Sequence, residues 1–204
     1  MSKKLSIFVC ALCLVSIAVP AKALTNGDFE TGDLTGWWTW LPDPANETVS
    51  VVPGGPGTSV YAAEIYTLSG SSAQLGQDIA FSAGLPVSVS LMYDVPANNW
   101  AGAGITIQYK DASWSVLDWG WANIYGGGGG GGGGWLSYDT ASDGTKSGNW
   151  TSAPAGTAYL TLKIEQWGWQ PSGSLYDNVV LTPEPATMVL LGIGGLVALR
   201  RKHA

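Results

Sequence analysis

The sequence predicts an all-β fold, an antiparallel β-sandwich, and three observations carry the prediction. Helical periodicity is nearly absent between Leu24 and Thr182. Alternating runs fall instead at 49–52, 60–67, 73–81, 87–95, 105–110, 114–124, 158–167 and 175–181. Gly, Pro, Asn, Asp or Ser bounds each run, as expected of short strands joined by turns in a sandwich or jelly roll.

The run at 158–167 shows the logic most clearly. Ala158, Leu160, Leu162 and Ile164 fall on one face of a strand while Thr161 and Lys163 fall on the other, the pattern of a half-buried antiparallel strand. The unbroken glycines at 126–134 have no side chains to pack and a high ordering cost, so they predict a flexible loop. No Gly-Lys pair followed by Ser or Thr closes the run, so these glycines are not a phosphate loop. Their flanks, Tyr125 and Trp135, read as the ends of two neighbouring strands.

Residues 1–23 read as a secretory signal peptide. Lys3 and Lys4 precede an apolar run at 5–19, and Ala21 and Ala23 fit the small-residue cleavage pattern, so the mature chain is expected to begin at Leu24. Both cysteines, Cys10 and Cys13, leave with this segment, and the single histidine is His203. The domain at 24–182 therefore has no disulfide, no thiolate or imidazole metal site, and neither a Ser/His/Asp nor a Cys/His catalytic set. Its core, and a hard cation if one is bound, must hold it together.

The far end, 183–204, carries Pro183-Glu184-Pro185, an apolar stretch at 186–199 expected to be helical, and the basic stop Arg200-Arg201-Lys202. The basic cluster should stay cytoplasmic and leave the preceding chain outside, which agrees with the signal peptide. The stretch is short and glycine-rich, suited to transient membrane insertion rather than a durable anchor. Motif, helix and arginine cluster together resemble the PEP-CTERM family of exported bacterial proteins. That resemblance implies an exosortase-type processing peptidase as partner, with Pro183, Glu184 and Pro185 as its motif and Arg200 and Arg201 in the cluster. It also implies a destination in the envelope, at the outer surface or in an exopolysaccharide-rich matrix.

Charge narrows the partners further. Of nine basic residues only Lys110, Lys146 and Lys163 lie between Leu24 and Thr182, against 14 of the 15 acidic ones. Such a domain repels phosphate backbones, which excludes nucleic-acid binding and leaves acidic, neutral-sugar and cation partners open.

The mature chain opens on Asn26-Gly27-Asp28-Phe29-Glu30 and closes on Leu175-Tyr176-Asp177-Asn178-Val179. These bookends resemble the terminal strands of galactose-binding-like jelly rolls, the fold of many carbohydrate-binding modules. The resemblance implies a structural Ca²⁺ where the two ends meet, held by the Glu30 and Asp177 carboxylates and the Asp28 backbone carbonyl, with Glu64 a further candidate. Six to eight hard oxygens would suit that ion. The plainer alternative is that Asp28 and Asp177 serve turns and strand ends through local hydrogen bonds. Phe29 and Trp37 are expected in the core.

All 11 tryptophans lie in the mature domain. Trp119-Gly120-Trp121 and Trp167-Gly168-Trp169 repeat one pattern, and Trp38-Thr39-Trp40 shares its spacing. Residues two apart on a strand share a face, so each pair can form an aromatic strip with the glycine leaving the opposite face bare. Indole strips suit the apolar faces of sugar rings, with Asn123, Gln166, Gln170 and Asp118 placed to take hydroxyls. Trp119, Trp121, Trp167 and Trp169 are thus the candidate polysaccharide-binding residues, against the alternative that they fill the core.

The sequence-based expectation is a non-catalytic, exported, carbohydrate-binding or matrix protein. A structural surface protein that self-associates is the competing reading. A carboxylate-based glycoside hydrolase or lyase is a third, for which turn-bound acids in a single small sandwich make poor candidates.

Overall fold

The computed structural model describes residues 24–68, 70–95, 101–125, 133–168 and 171–183. The expected signal peptide, the tail from Glu184 onward with its apolar stretch and Arg200 and Arg201, most of the glycine run, and Trp169 and Gln170 lie outside the described residues.

Eleven strands are described: β1 (Trp38–Trp40), β2 (Glu47–Pro53), β3 (Tyr61–Thr67), β4 (Ser72–Ala80), β5 (Val87–Asp94), β6 (Ala101–Lys110), β7 (Val116–Tyr125), β8 (Leu136–Asp139), β9 (Ser147–Gly148), β10 (Tyr159–Gly168) and β11 (Ser172–Pro183). They form two antiparallel sheets. The front sheet runs β1-β4-β10-β6-β7-β9 and the back sheet β2-β3-β11-β5-β8. Strands distant in sequence lie side by side, so the fold is a jelly-roll β-sandwich, as the alternating runs predict.

The core lies between the sheets. Leu160, Leu162 and Ile164 of β10 are fully buried against Ile105 and Ile107 of β6, Leu75 of β4 and Ile65 of β3. Each such side chain contributes about 1.5–3 kcal/mol through the water it sheds. Thr161 points to the other face, as its place in the alternation requires, yet it is only 1% exposed. Its hydroxyl donates to the Asp78 carboxylate on the neighbouring strand. Phe29 and Trp37 are core residues with ring centroids 5.5 Å apart. The bookends meet where Val179 N–H donates to the Gly27 carbonyl at 2.7 Å, so close that any side chain on Gly27 would strike that strand.

Two expectations change. Tyr125 ends β7 in the front sheet, whereas Trp135 precedes β8, which pairs β5 in the back sheet. The glycine run thus separates elements of opposite sheets rather than neighbouring strands. Gln166 is not a surface group. It is fully buried, accepting from the Tyr176 hydroxyl at 3.1 Å and donating to the Ser172 carbonyl at 3.1 Å. Beside it, the Tyr125 and Ser174 hydroxyls lie 2.7 Å apart. Buried polar groups need such partners, and these supply them for each other.

Candidate functional site

Opposed residues of antiparallel strands share a face, so the register draws rows across the front sheet. One row on its outer face reads Trp38, Gly76, Lys163, Thr106, Trp121. The row to one side reads Asp78, Thr161, Gln108, Trp119, and the row to the other Trp40, Gln74, Glu165, Gly104, Asn123. Beyond that, Ser72 and Gly102 flank Trp167. The expected residues Trp119, Trp121 and Trp167 therefore share one surface, while Trp169 lies outside the described residues.

Glycine determines how the indoles lie. A Cβ on Gly76 would collide with the Trp38 ring, one on Gly102 with the Trp167 ring, and one on Gly104 would stand 2.8 Å from Trp121 Nε1. Three outward-facing glycines thus each carry an indole across a strand, an arrangement that recovers for the sheet the packing that glycine forgoes. The sequence Ala101-Gly102-Ala103-Gly104 is the local device: its alanines enter the core and its glycines admit the rings. Trp119 and Trp40 are 50% and 47% exposed beside them.

Gly120 works the other way. Its core-facing side is not bare as expected, because a Cβ there would stand 2.7 Å from Nε1 of Trp150, which is buried. Tryptophan therefore packs on both sides of β7, with Trp150 as filling and Trp119 and Trp121 as surface.

The polar groups of this face hold one another. Trp38 Nε1 donates to Asp78 Oδ2 at 2.9 Å, and Lys110 lies 3.9 Å from Asp78 Oδ1. Lys163 and Glu165 pair at 3.7 Å. Two acids and two lysines thus balance, leaving a face without net charge in an acidic domain. At one end Trp114 stacks on Tyr159, centroids 4.3 Å apart and planes 10° from parallel, with Lys110 Nζ 5.5 Å from the ring centre. Trp114 has φ 67°, and the Asp111 side chain that accepts from Ser113 and Ser115 N–H at 2.8 and 2.9 Å shapes this turn.

Of the expected hydroxyl partners, Asn123 lies on the outer face, where its amide nitrogen in the satisfied orientation donates to the Ala103 and Tyr125 carbonyls. Asp118 faces away from Trp119 and accepts from Asn149 Nδ2 at 2.9 Å. The groups that the sequence did not single out are Trp38, Trp40, Gln74, Asp78 and Gln108. Trp38 and Trp40 carried the same spacing signal as the two doublets, whereas the three polar residues have no local signature.

At the meeting of the bookends, Glu30 Oε1 accepts from Ser59 Oγ at 2.6 Å, Val60 N–H at 2.8 Å and Tyr61 N–H at 3.1 Å. Ser59 and the Tyr61 amide foremost hold its carboxyl below the usual range. Asp177 is fully buried, with Oδ2 unpartnered and Oδ1 accepting from Asn178 N–H at 2.6 Å. Burial pushes its carboxyl up, the Ser59 hydroxyl and the Asn178 amide oppose that, and the Glu30 and Asp28 carboxylates add to the rise. An orphaned buried carboxylate oxygen near two more carboxylates suits a hard cation. Glu64 does not join them; it lies beside Gly173 on β11. Among the described residues no group of three His, Cys, Asp or Glu side chains forms a metal cage, so backbone carbonyls would have to complete the set.

The fold is that of carbohydrate-binding modules. A family 61 carbohydrate-binding module, solved with β-1,4-galactotriose, superposes with a TM-score of 0.53 at 18% identity, over 79% of this chain and 97% of that one. A family 16 carbohydrate-binding module matches with a TM-score of 0.51 at 18% identity, over 78% and 98%. The enzymatically active domain of tailspike protein 4 from bacteriophage CBA120 matches with a TM-score of 0.60 at 15% identity, but this chain spans only 20% of it while 77% of this chain is covered. No curated protein matches the sequence.

Residues 181–202 match the PEP-CTERM protein-sorting motif, which marks the chain as exported and sorted to the cell surface by an exosortase. The motif match begins inside β11.

Proposed function

We propose that this chain is a non-catalytic glycan-binding protein of the cell surface or its exopolysaccharide matrix, held transiently in the membrane by its tail until that tail is processed. The supporting observation is the set of three indoles laid over three glycines on one sheet face, with two more exposed tryptophans beside them. Laid flat, such rings offer their faces to the C–H side of a sugar ring. From Trp38 on β1 to Trp121 on β7 is four strand spacings, about 19 Å, so the face accepts an extended oligosaccharide rather than one sugar. Paired charges favour a neutral polymer.

Binding without turnover is supported by the carboxylate spacing on this face. Asp78 lies opposite Thr161, and Glu165 is four residues further along β10, about 13 Å away. Glycosidases need carboxyl groups about 5–9.5 Å apart, so this pair does not serve.

The test is retention of recombinant 24–183 on soluble and insoluble polysaccharides, with a parallel assay for released reducing sugar. Retention on a neutral polymer with no sugar release supports the reading. No retention on any polymer, with concentration-dependent oligomers in solution, would favour the self-associating surface protein.

A structural Ca²⁺ belongs to the same proposal. Asp177 and Glu30 would hold it with backbone oxygens of the opening segment, and its charge would relieve the repulsion that Asp177 meets among carboxylates. Its role would be to tie the first segment to the last strand. Thermal melting with calcium and with a chelator tests it, a rise in melting temperature being expected with calcium.

A further inference from the structure

The sorting signal and the folded domain share residues. Leu181, Thr182 and Pro183 belong to the PEP-CTERM match and also to β11, where they pair with Val89, Ser88 and Val87 of β5. Leu181 is only 5% exposed, packed in the core, and its partner Val89 is fully buried. Val87 N–H is in turn tied to the Trp150 carbonyl at 3.3 Å. No spacer separates the sandwich from the Pro-Glu-Pro motif.

Peptidases take their substrates as extended strands whose backbone groups pair with the enzyme's own cleft. In this chain the backbone preceding Glu184 is already paired to β5, and withdrawing it would draw Leu181 out of the core. We infer that the folded sandwich sets the upstream limit of tail processing: the scissile bond follows Pro183 or lies beyond it, and cleavage further upstream is occluded by β11. In that step one peptide C–N bond breaks. The carbonyl carbon takes the oxygen of water, or the nitrogen of an acceptor amine if the chain is transferred, and the departing amine takes the proton. The domain keeps its last strand whole. The inference rests on the sorting tail and the strand register, and it holds whether or not the front face binds glycan.

The experiment is to express the full chain in an exporting bacterium that carries an exosortase and to measure the intact mass of the processed protein. A carboxyl terminus at Pro183 or later is expected. A terminus at Thr182 or earlier, or a chain that is never cut, would overturn the inference. A second variant inserts an eight-residue Gly-Ser spacer between Thr182 and Pro183, which keeps Pro183-Glu184-Pro185 whole and leaves Leu181 and Thr182 paired in β11. If the sandwich crowds the motif, the processed fraction at a fixed early time rises at least twofold. An unchanged fraction would show that β11 places no limit on the peptidase.

Discussion

Trp167 lies across Gly102, its direct partner on the neighbouring strand, and its indole fills the space where any other residue would place a Cβ. Gly102→Ala therefore lifts the ring from the sheet. Overpacking of this kind costs about 1–3 kcal/mol. Polysaccharide retention should fall with it, read by affinity electrophoresis beside chemical denaturation. Unchanged retention would mean that the ring's flat seat is irrelevant to binding.

Two tryptophans on opposite sides of β7 should behave in opposite ways. Trp150 is buried behind Gly120, so Trp150→Ala should cost about 3–5 kcal/mol, as large-to-small core changes do. Trp119 is half exposed on the other side of the same strand, so Trp119→Ala should change stability by about 0.5 kcal/mol or less. On the proposed reading its effect should fall on glycan affinity instead. Urea denaturation of the two variants distinguishes them.

The buried pair of Gln166 and Tyr176 gives a third expectation. Gln166→Leu removes the acceptor of the Tyr176 hydroxyl inside the core, at about 1–3 kcal/mol. Adding Tyr176→Phe should restore part of the loss. A double-mutant cycle on denaturation midpoints measures the coupling.

Asp177 and Glu30 give opposite pH signs. The Asp177 carboxyl is raised, so its contribution to stability is present at acid pH and is lost as pH rises through its elevated pKa. Glu30 is lowered, so its contribution is present above the ordinary carboxylate range and is lost as pH falls through its depressed pKa. In calcium-free buffer at neutral pH, Asp177→Asn should melt higher than the parent by roughly 2–4 °C, the shift that ~1 kcal/mol makes in a domain of this size. The gain should vanish in acid. Glu30→Gln should melt lower at neutral pH and converge on the parent in acid. If calcium binds at Asp177, it should raise the melting temperature of the parent more than that of Asp177→Asn.

Much of this architecture could be read from period-two patterning, because strands half-buried in a sandwich must alternate. The run around Leu160, Leu162 and Ile164 announced its strand and its buried face. What the sequence withheld was non-local. Gly76 is 38 residues from the Trp38 that covers it, and Gly102 is 65 from Trp167, so only the register of β1, β4, β10 and β6 brings them together. Strands as short as β8 and β9, of four and two residues, have too few alternations to stand out. Gln166 read as a surface amide because polarity is local, whereas the Tyr176 hydroxyl that satisfies it sits on another strand. The resemblance of the bookends foretold that the domain's first and last segments meet, but not that Asp177 would keep a bare oxygen there.

Among the described residues the last two strands to be synthesised, β10 and β11, have neighbours on both sides, one in each sheet. Without them the front sheet falls into β1-β4 and β6-β7-β9, and the back sheet into β2-β3 and β5-β8. Fragments of two or three strands are marginal in water, and pairings so distant along the chain form slowly. A nascent chain threading an export channel must stay unfolded until it emerges. Placing the keystones of both sheets late in the domain delays folding until nearly the whole of it has crossed.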